Sequence, residues 1–142
     1  MTETEKHRHL EHLNCLVVDD DKFARNFTKT ALFQIGLKNI KEASSAAEAE
    51  EIIKNTSIDI LFTDQQMPEK SGLQMIADLN KQYPDFTTKV PVIMITSDTR
   101  ETTVLQAKEL HIREYIIKPV SPGLLKKRVF SILNLEENPN RD

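Results

Sequence analysis

Asp64 closes an apolar run, Ile58-Asp59-Ile60-Leu61-Phe62-Thr63, and is followed by Gln65-Gln66-Met67-Pro68 and then Gly72. A carboxylate at the tip of a buried strand, ahead of a Pro/Gly loop, is poised for chemistry rather than packing. Two further clusters stand at strand tips. Asp19-Asp20-Asp21 follow Leu16-Val17-Val18, and Thr96 and Lys118 close apolar runs of their own. Acids, a hydroxyl and one lysine at the same edge of one sheet make a site for a metal ion and a phosphoryl group. Hard divalent cations want oxygen ligands, and a lysine supplies a compact positive charge beside them.

The elements that must position these residues alternate along the chain. The spacing predicts strands over 14–18, 39–42, 58–63, 90–96 and 114–118, and helices over 22–35, 45–55, 72–83, 101–110 and 122–135. The first, third and fourth strands are nearly unbroken apolar runs, as strands covered on both faces require. In the first helix Phe23, Phe27 and Ala31 recur at i, i+4 and i+8, and Gly36 is a stop signal. Asp21 reads as that helix's N-cap, and Ser45 with Glu48 as a capping box for the second. Strand–helix alternation of this kind implies a three-layer α/β fold, a doubly wound five-stranded parallel sheet between helical layers. A flavodoxin-like strand order of 2-1-3-4-5 places the first and third strands side by side, with a crevice above their carboxyl ends. Periodicity alone does not select that order.

Composition narrows the function class. The chain has 142 residues, 39% hydrophobic and 29% charged, enough for one domain with a real core. A net charge of −3 gives no general case for direct nucleic-acid binding, and Lys126-Lys127-Arg128 reads as a solvated helix face. No apolar run reaches membrane-spanning length. The N-terminus lacks the apolar segment of a secretion signal, so a cytoplasmic protein is expected. The one cysteine, Cys15, lies in an apolar strand and reads as a small buried hydrophobe. Residues 1–11 read as a polar tail, and His7, His9 and His12 as solvated rather than metal-bound. Residues 12–135 read as the folded domain, and residues 136–142 as a C-terminal tail or linker stub.

The pattern Leu16-Val17-Val18-Asp19-Asp20, then Asp64-x-x-Met67-Pro68, then Thr96, then Lys118-Pro119 resembles the receiver domain of bacterial two-component response regulators. The intervals are similar to those of the stand-alone chemotaxis regulators of that family. The resemblance covers residues 12–135. It implies that Asp64 is the phosphoacceptor, taking a phosphoryl group from a histidine kinase or a phosphotransfer protein. It implies that Mg²⁺ is held by Asp20 and Asp64 directly, by Asp19 through a water, and by the backbone carbonyl of Gln66. Thr96 would hydrogen-bond the phosphoryl group, Lys118 would pair with it, and Tyr115 would be the aromatic switch that turns inward when Thr96 moves. The Lys118–Pro119 bond is expected to be cis. The implied readout surface is the fourth helix, fifth strand and fifth helix, facing a downstream protein as a monomer or a phosphorylation-induced dimer. The chemistry ends on the protein itself, so turnover of an external substrate is not expected.

Singly, these residues have ordinary readings: strand-end acids cap helices, and Lys118 would snorkel. Their order along the chain, each at a strand end, sets the functional reading above them. Two departures from the family pattern stand out. Leu110-His111-Ile112-Arg113-Glu114 lacks the glycine that often precedes the aromatic residue, so a turn with positive φ is harder there. Ser97 follows Thr96 where a smaller residue is common. Gln66 and Asp98 flank the acceptor at positions that tune acyl-phosphate hydrolysis in the family. The alternatives are a receiver-like binding module without phosphoryl control, an aspartyl-nucleophile hydrolase, and a flavodoxin-like electron carrier. Gln66 cannot serve as the hydrolase's second acid, and Asp19-Asp20-Asp21 would repel a flavin phosphate.

Overall fold

The computed structural model describes residues 2–135. Five parallel strands, β1 (Asn14–Val18), β2 (Asn39–Ala43), β3 (Ile60–Thr63), β4 (Val92–Thr96) and β5 (Glu114–Ile117), form one sheet in the order β2-β1-β3-β4-β5. Side chains alternate across each strand. Cys15, Val17, Ile60, Phe62, Ile93 and Ile95 point to one core, and Leu16, Val18, Leu61 and Val92 to the other. That two-sided burial is why these runs carry no polar alternation.

Helices α2 (Lys22–Ile35) and α7 (Pro122–Ile132) cover the first face, while α3 (Ala46–Asn55), α4 (Gly72–Gln82), the short α5 (Phe86–Lys89) and α6 (Glu101–Glu109) lie on the other. Side-chain oxygens of Asp21, Ser45 and Ser71 accept backbone N–H bonds at the starts of α2, α3 and α4. Ser121 caps α7, whose first residue is Pro122. The three-layer fold with order 2-1-3-4-5 is the expected one.

Four expectations need correction. The supposed N-terminal tail is a helix, α1 (Glu3–Glu11), closed by a reciprocal capping box between Thr2 and Glu5. Leu10 is only 1% exposed and enters the α2/α7 core, where a Cβ on Gly36 would meet it at 3.2 Å. Asn39 Nδ2 donates to Glu11 O across the junction. Ser45 caps α3, but the Glu48 carboxylate accepts from Ser44 Oγ instead of completing a box. The apolar stripe of α2 is not Phe23-Phe27-Ala31: Phe23 is 87% and Phe27 51% exposed, and Thr28, Ala31, Leu32 and Ile35 face inward. Phe27 sits one residue, about 100° of helix, from the buried Thr28.

The fourth concerns the turn into β5. His111 takes φ 61 without a glycine. Its N–H donates to Lys108 O and that of Ile112 to Ala107 O, so α6 ends in a Schellman motif with His111 at the left-handed position. The turn has the ordinary geometry, carried by a residue that accepts it with some strain. The expected C-terminal tail, 136–142, lies outside the described residues. Among the described residues no helix is long and apolar enough to cross a membrane.

Candidate functional site

The sheet places the acids. β1 and β3 are neighbours in register Val18↔Thr63, so the residues that follow them, Asp19 and Asp64, emerge side by side. Asp64 N–H donates to Val18 O at 2.9 Å, extending the ladder by one residue. Carboxylate oxygens of Asp19, Asp20 and Asp64 lie within 4.8 Å of one another. Asp19 and Asp64 are buried, and Asp20 is exposed. Asp21 stands apart as the α2 cap, accepting N–H bonds from Phe23 and Ala24.

Lys118 crosses to this pair from the far side of the sheet. Its N–H donates to Thr96 O, and its Nζ donates to Asp19 Oδ2 at 2.9 Å and Asp64 Oδ2 at 2.8 Å. The peptide bond to Pro119 is cis, as expected. The other oxygen of Asp64, Oδ1, accepts the N–H groups of Gln65 (2.6 Å) and Gln66 (3.1 Å). The Asp64 carboxylate is therefore oriented from both sides, by amides of its own loop and by one ammonium.

One cation does not balance three acids. Two like charges ~5 Å apart repel by ~3 kcal/mol at an effective dielectric of ~20. Burial pushes Asp19 above the usual carboxylate range; the Lys118 and Asp21 hydrogen bonds pull it down, and Asp64 adds to the rise. Burial works against the charge of Lys118, but its bonds to Asp64 and Asp19 outweigh that and raise its pKa. The pocket is short of positive charge and consists of hard oxygen donors, a set that suits Mg²⁺.

Thr96 and Tyr115 form the other half of the edge. Thr96 is fully buried at the end of β4, paired in register with Ile117. Its Oγ1 accepts the Asp98 N–H at 3.2 Å, and among the described residues no hydrogen bond joins it to Asp64. Tyr115 is half-buried, and its hydroxyl donates to Asp98 O at 2.6 Å. Gln66 is exposed and meets Asp64 through its N–H. Thus Asp19, Asp20, Asp64, Gln66 and Lys118 are in one cluster, while Thr96 and Tyr115 join one another through Asp98.

Sequence reasoning missed two supports of the Asp64 loop. Gln65 is buried, and its Oε1 accepts the Leu73 N–H at 2.7 Å, tying the loop to the first turn of α4. Gly72 lies against the Asp64 backbone: a Cβ there would stand 2.2 Å from Asp64 O. Its N–H donates to Gln65 O. The signal for Gly72 was present, a glycine directly after Ser71, the α4 N-cap, where backbone must approach backbone. Beside Lys118 opens a groove of about 350 Å³ lined by Ala24, Phe27, Ile95, Ser97, Pro119 and Val120.

Residues 15–130 match the response regulator receiver domain family. The chain is 32% identical to a chemotaxis protein CheY homolog of Campylobacter jejuni over 124 residues, spanning 85% of this chain and 92% of that protein. It is 32% identical to chemotaxis protein CheY1 of Helicobacter pylori over 127 residues, 88% of this chain and 100% of that one. Among solved structures it resembles the CheX-CheY-BeF3-Mg+2 complex from Borrelia burgdorferi, with TM-score 0.77, 27% identity, and 85% of this chain and 89% of that chain covered. A CheY-like receiver from Methanospirillum hungatei shares the fold, with TM-score 0.77 at 24% identity over 86% of this chain and 94% of its own. Fold, strand-end acids and sequence agree, and the chain belongs to the response regulator receiver domain family.

Proposed function

We propose that this chain is a phosphorylation-controlled signalling switch in which Asp64 accepts a phosphoryl group from a histidine kinase or a phosphotransfer protein. The observation that carries the reading is the posture of Asp64. Its carboxylate is buried, turned by two loop N–H groups on one oxygen and by Lys118 on the other, beside two further acids. A purely structural carboxylate would not need two more acids beside it.

Asp19, Asp20, Asp64 and the Gln66 carbonyl would hold Mg²⁺, which supplies positive charge that lets an anionic donor approach an anionic acceptor. The chain's own residues do the rest. One Asp64 oxygen forms a bond to phosphorus as the donor's bond to phosphorus breaks in line, and the donor departs with that electron pair. Lys118, already on Asp64, neutralises charge on the transferring group. Thr96 accepts a bond from Asp98 N–H, so its own hydrogen is free to be donated to a phosphoryl oxygen. Drawing Thr96 toward the acceptor would disturb Asp98, and with it Tyr115, shifting the population of the α6–β5–α7 face that meets a downstream protein. The groove beside Lys118 leaves open ground next to the acceptor for a donor side chain.

Incubation with acetyl phosphate and MgCl₂, followed by borohydride reduction and peptide mapping, tests this. An aspartyl phosphate is reduced to homoserine, and the reading expects that conversion at position 64. Conversion at another aspartate, or none, would overturn it.

A further inference from the structure

Asp98 is a carboxylate only 3% exposed, and it lies outside the acid pocket. Both its oxygens are taken. Oδ1 accepts Arg100 N–H at 3.0 Å and Arg100 Nε at 3.1 Å. Oδ2 accepts Arg100 Nη2 at 2.7 Å and Thr103 Oγ1 at 3.2 Å. Its backbone is equally committed: the N–H donates to Thr96 Oγ1, and the carbonyl accepts from the Tyr115 hydroxyl. One residue therefore holds the phosphate-sensing hydroxyl by one atom, the tyrosine by another, and the first turn of α6 by its side chain.

The geometry points to Asp98 and Arg100 as positioning residues that hold Thr96 and Tyr115 in the arrangement seen here. This rests on reading Thr96 and Tyr115 as the switch pair. The guanidinium fork fixes the orientation of the Asp98 carboxylate, and through it the Asp98 backbone. A fixed backbone keeps its carbonyl aimed at Tyr115 and its N–H aimed at Thr96. A buried carboxylate survives only if fully partnered, and among the described residues Arg100 is its one charged partner. Arg100 itself is exposed, its side chain 69% accessible. The clamp is thus closed from the solvent side, where salt or a docking partner that competes for the guanidinium can loosen it. The carboxylate that the family pattern would assign to tuning hydrolysis is, in this chain, taken up by Arg100 and Thr103, and it is the Asp98 backbone carbonyl that holds the tyrosine.

The test reads Tyr115 before any phosphoryl donor is added. The protein has two tyrosines, Tyr83 and Tyr115, so 3-fluorotyrosine labelling gives two ¹⁹F resonances, assigned with Tyr83→Phe. In the wild type the Tyr115 signal should be shielded from solvent, with a small solvent isotope shift. Arg100→Ala and Asp98→Asn should each broaden or move that signal and enlarge its isotope shift, while circular dichroism stays unchanged. Arg100→Lys, which keeps the charge but not the fork, should restore it in part. Molar salt should move the wild-type signal toward the Arg100→Ala position. A Tyr115 signal identical in wild type, Arg100→Ala and Asp98→Asn, all folded, would overturn the proposal. Because the signal is read without donor, its outcome is separate from whether Asp64 takes up a phosphoryl group.

Discussion

Two aspartates near the carboxyl edge of the same sheet, Asp19 and Asp98, are both buried and are held in opposite ways. Asp19 shares one ammonium with Asp64, lies within reach of Asp20, and has its carboxyl pushed up by burial. Asp98 has a guanidinium fork and a hydroxyl to itself, and the Arg100 pairing holds its carboxyl down to about 2. The first region has one ammonium for three acids, and on the proposed reading a cation from solution would complete it. The second is complete, so it transmits position and offers nothing to a metal. Residue type does not separate the two; the supply of counter-charge does.

The largest single disturbance of the acid region should come from Gly72→Ala. A Cβ placed 2.2 Å from Asp64 O cannot be accommodated without moving the Asp64 loop. The expected loss is about 1–3 kcal/mol by chemical denaturation, with weaker Mg²⁺ binding. A variant as stable as the wild type would show that the loop is free to shift.

Mg²⁺ should raise the melting temperature of the wild type, by about 2.7 kcal/mol of stability at ~100 times the Kd. Asp20→Ala should remove most of that shift. Asp19→Asn should do so too while raising the melting temperature of the metal-free protein, since it deletes a charge that burial disfavours. Equal Mg²⁺ shifts in wild type and both variants would place the ion elsewhere.

The Asp98 region predicts a different acid response. Its folded pKa lies below the ordinary value of ~3.9, so its contribution is fully present above that value and is lost as pH falls toward about 2. Asp98→Asn should therefore be less stable than wild type at neutral pH, with the gap closing through that window on acidification. A gap independent of pH would mean that the ion pair adds nothing. Smallest of all, Phe23→Ser should change stability by less than about 0.5 kcal/mol, because its ring faces solvent at 87% exposure.

What was legible in the chain followed from locality. Apolar runs ending in Asp19, Asp64, Thr96 and Lys118 mark strand tips, and a parallel sheet sends every such tip to one edge, so a shared site could be read without coordinates. Strand order came from family likeness, since periodicity carries no information about neighbours. The α1 helix was missed because its apolar content is nearly confined to Leu10, although Thr2 and Glu5 stood at capping-box spacing. Phe23 and Phe27 misled because an i, i+4 repeat marks a face without saying which way it turns. Gln65 and Asp98 act through side-chain contacts to residues two to eight positions on, which no periodicity marks. His111 was read as an obstacle because glycine is the usual left-handed residue, whereas the Schellman bonds at the end of α6 hold a histidine there.

The central claim is that the crowded acids exist to let Asp64 carry a phosphoryl group. Intact-mass analysis after treatment with acetyl phosphate, with Mg²⁺ or with EDTA, measures it directly on wild type and on Asp64→Asn. The account predicts one added phosphoryl mass on the wild type with Mg²⁺, and none with EDTA or on the variant. A variant modified to the same extent as wild type, or a wild type left unmodified with Mg²⁺, would contradict it.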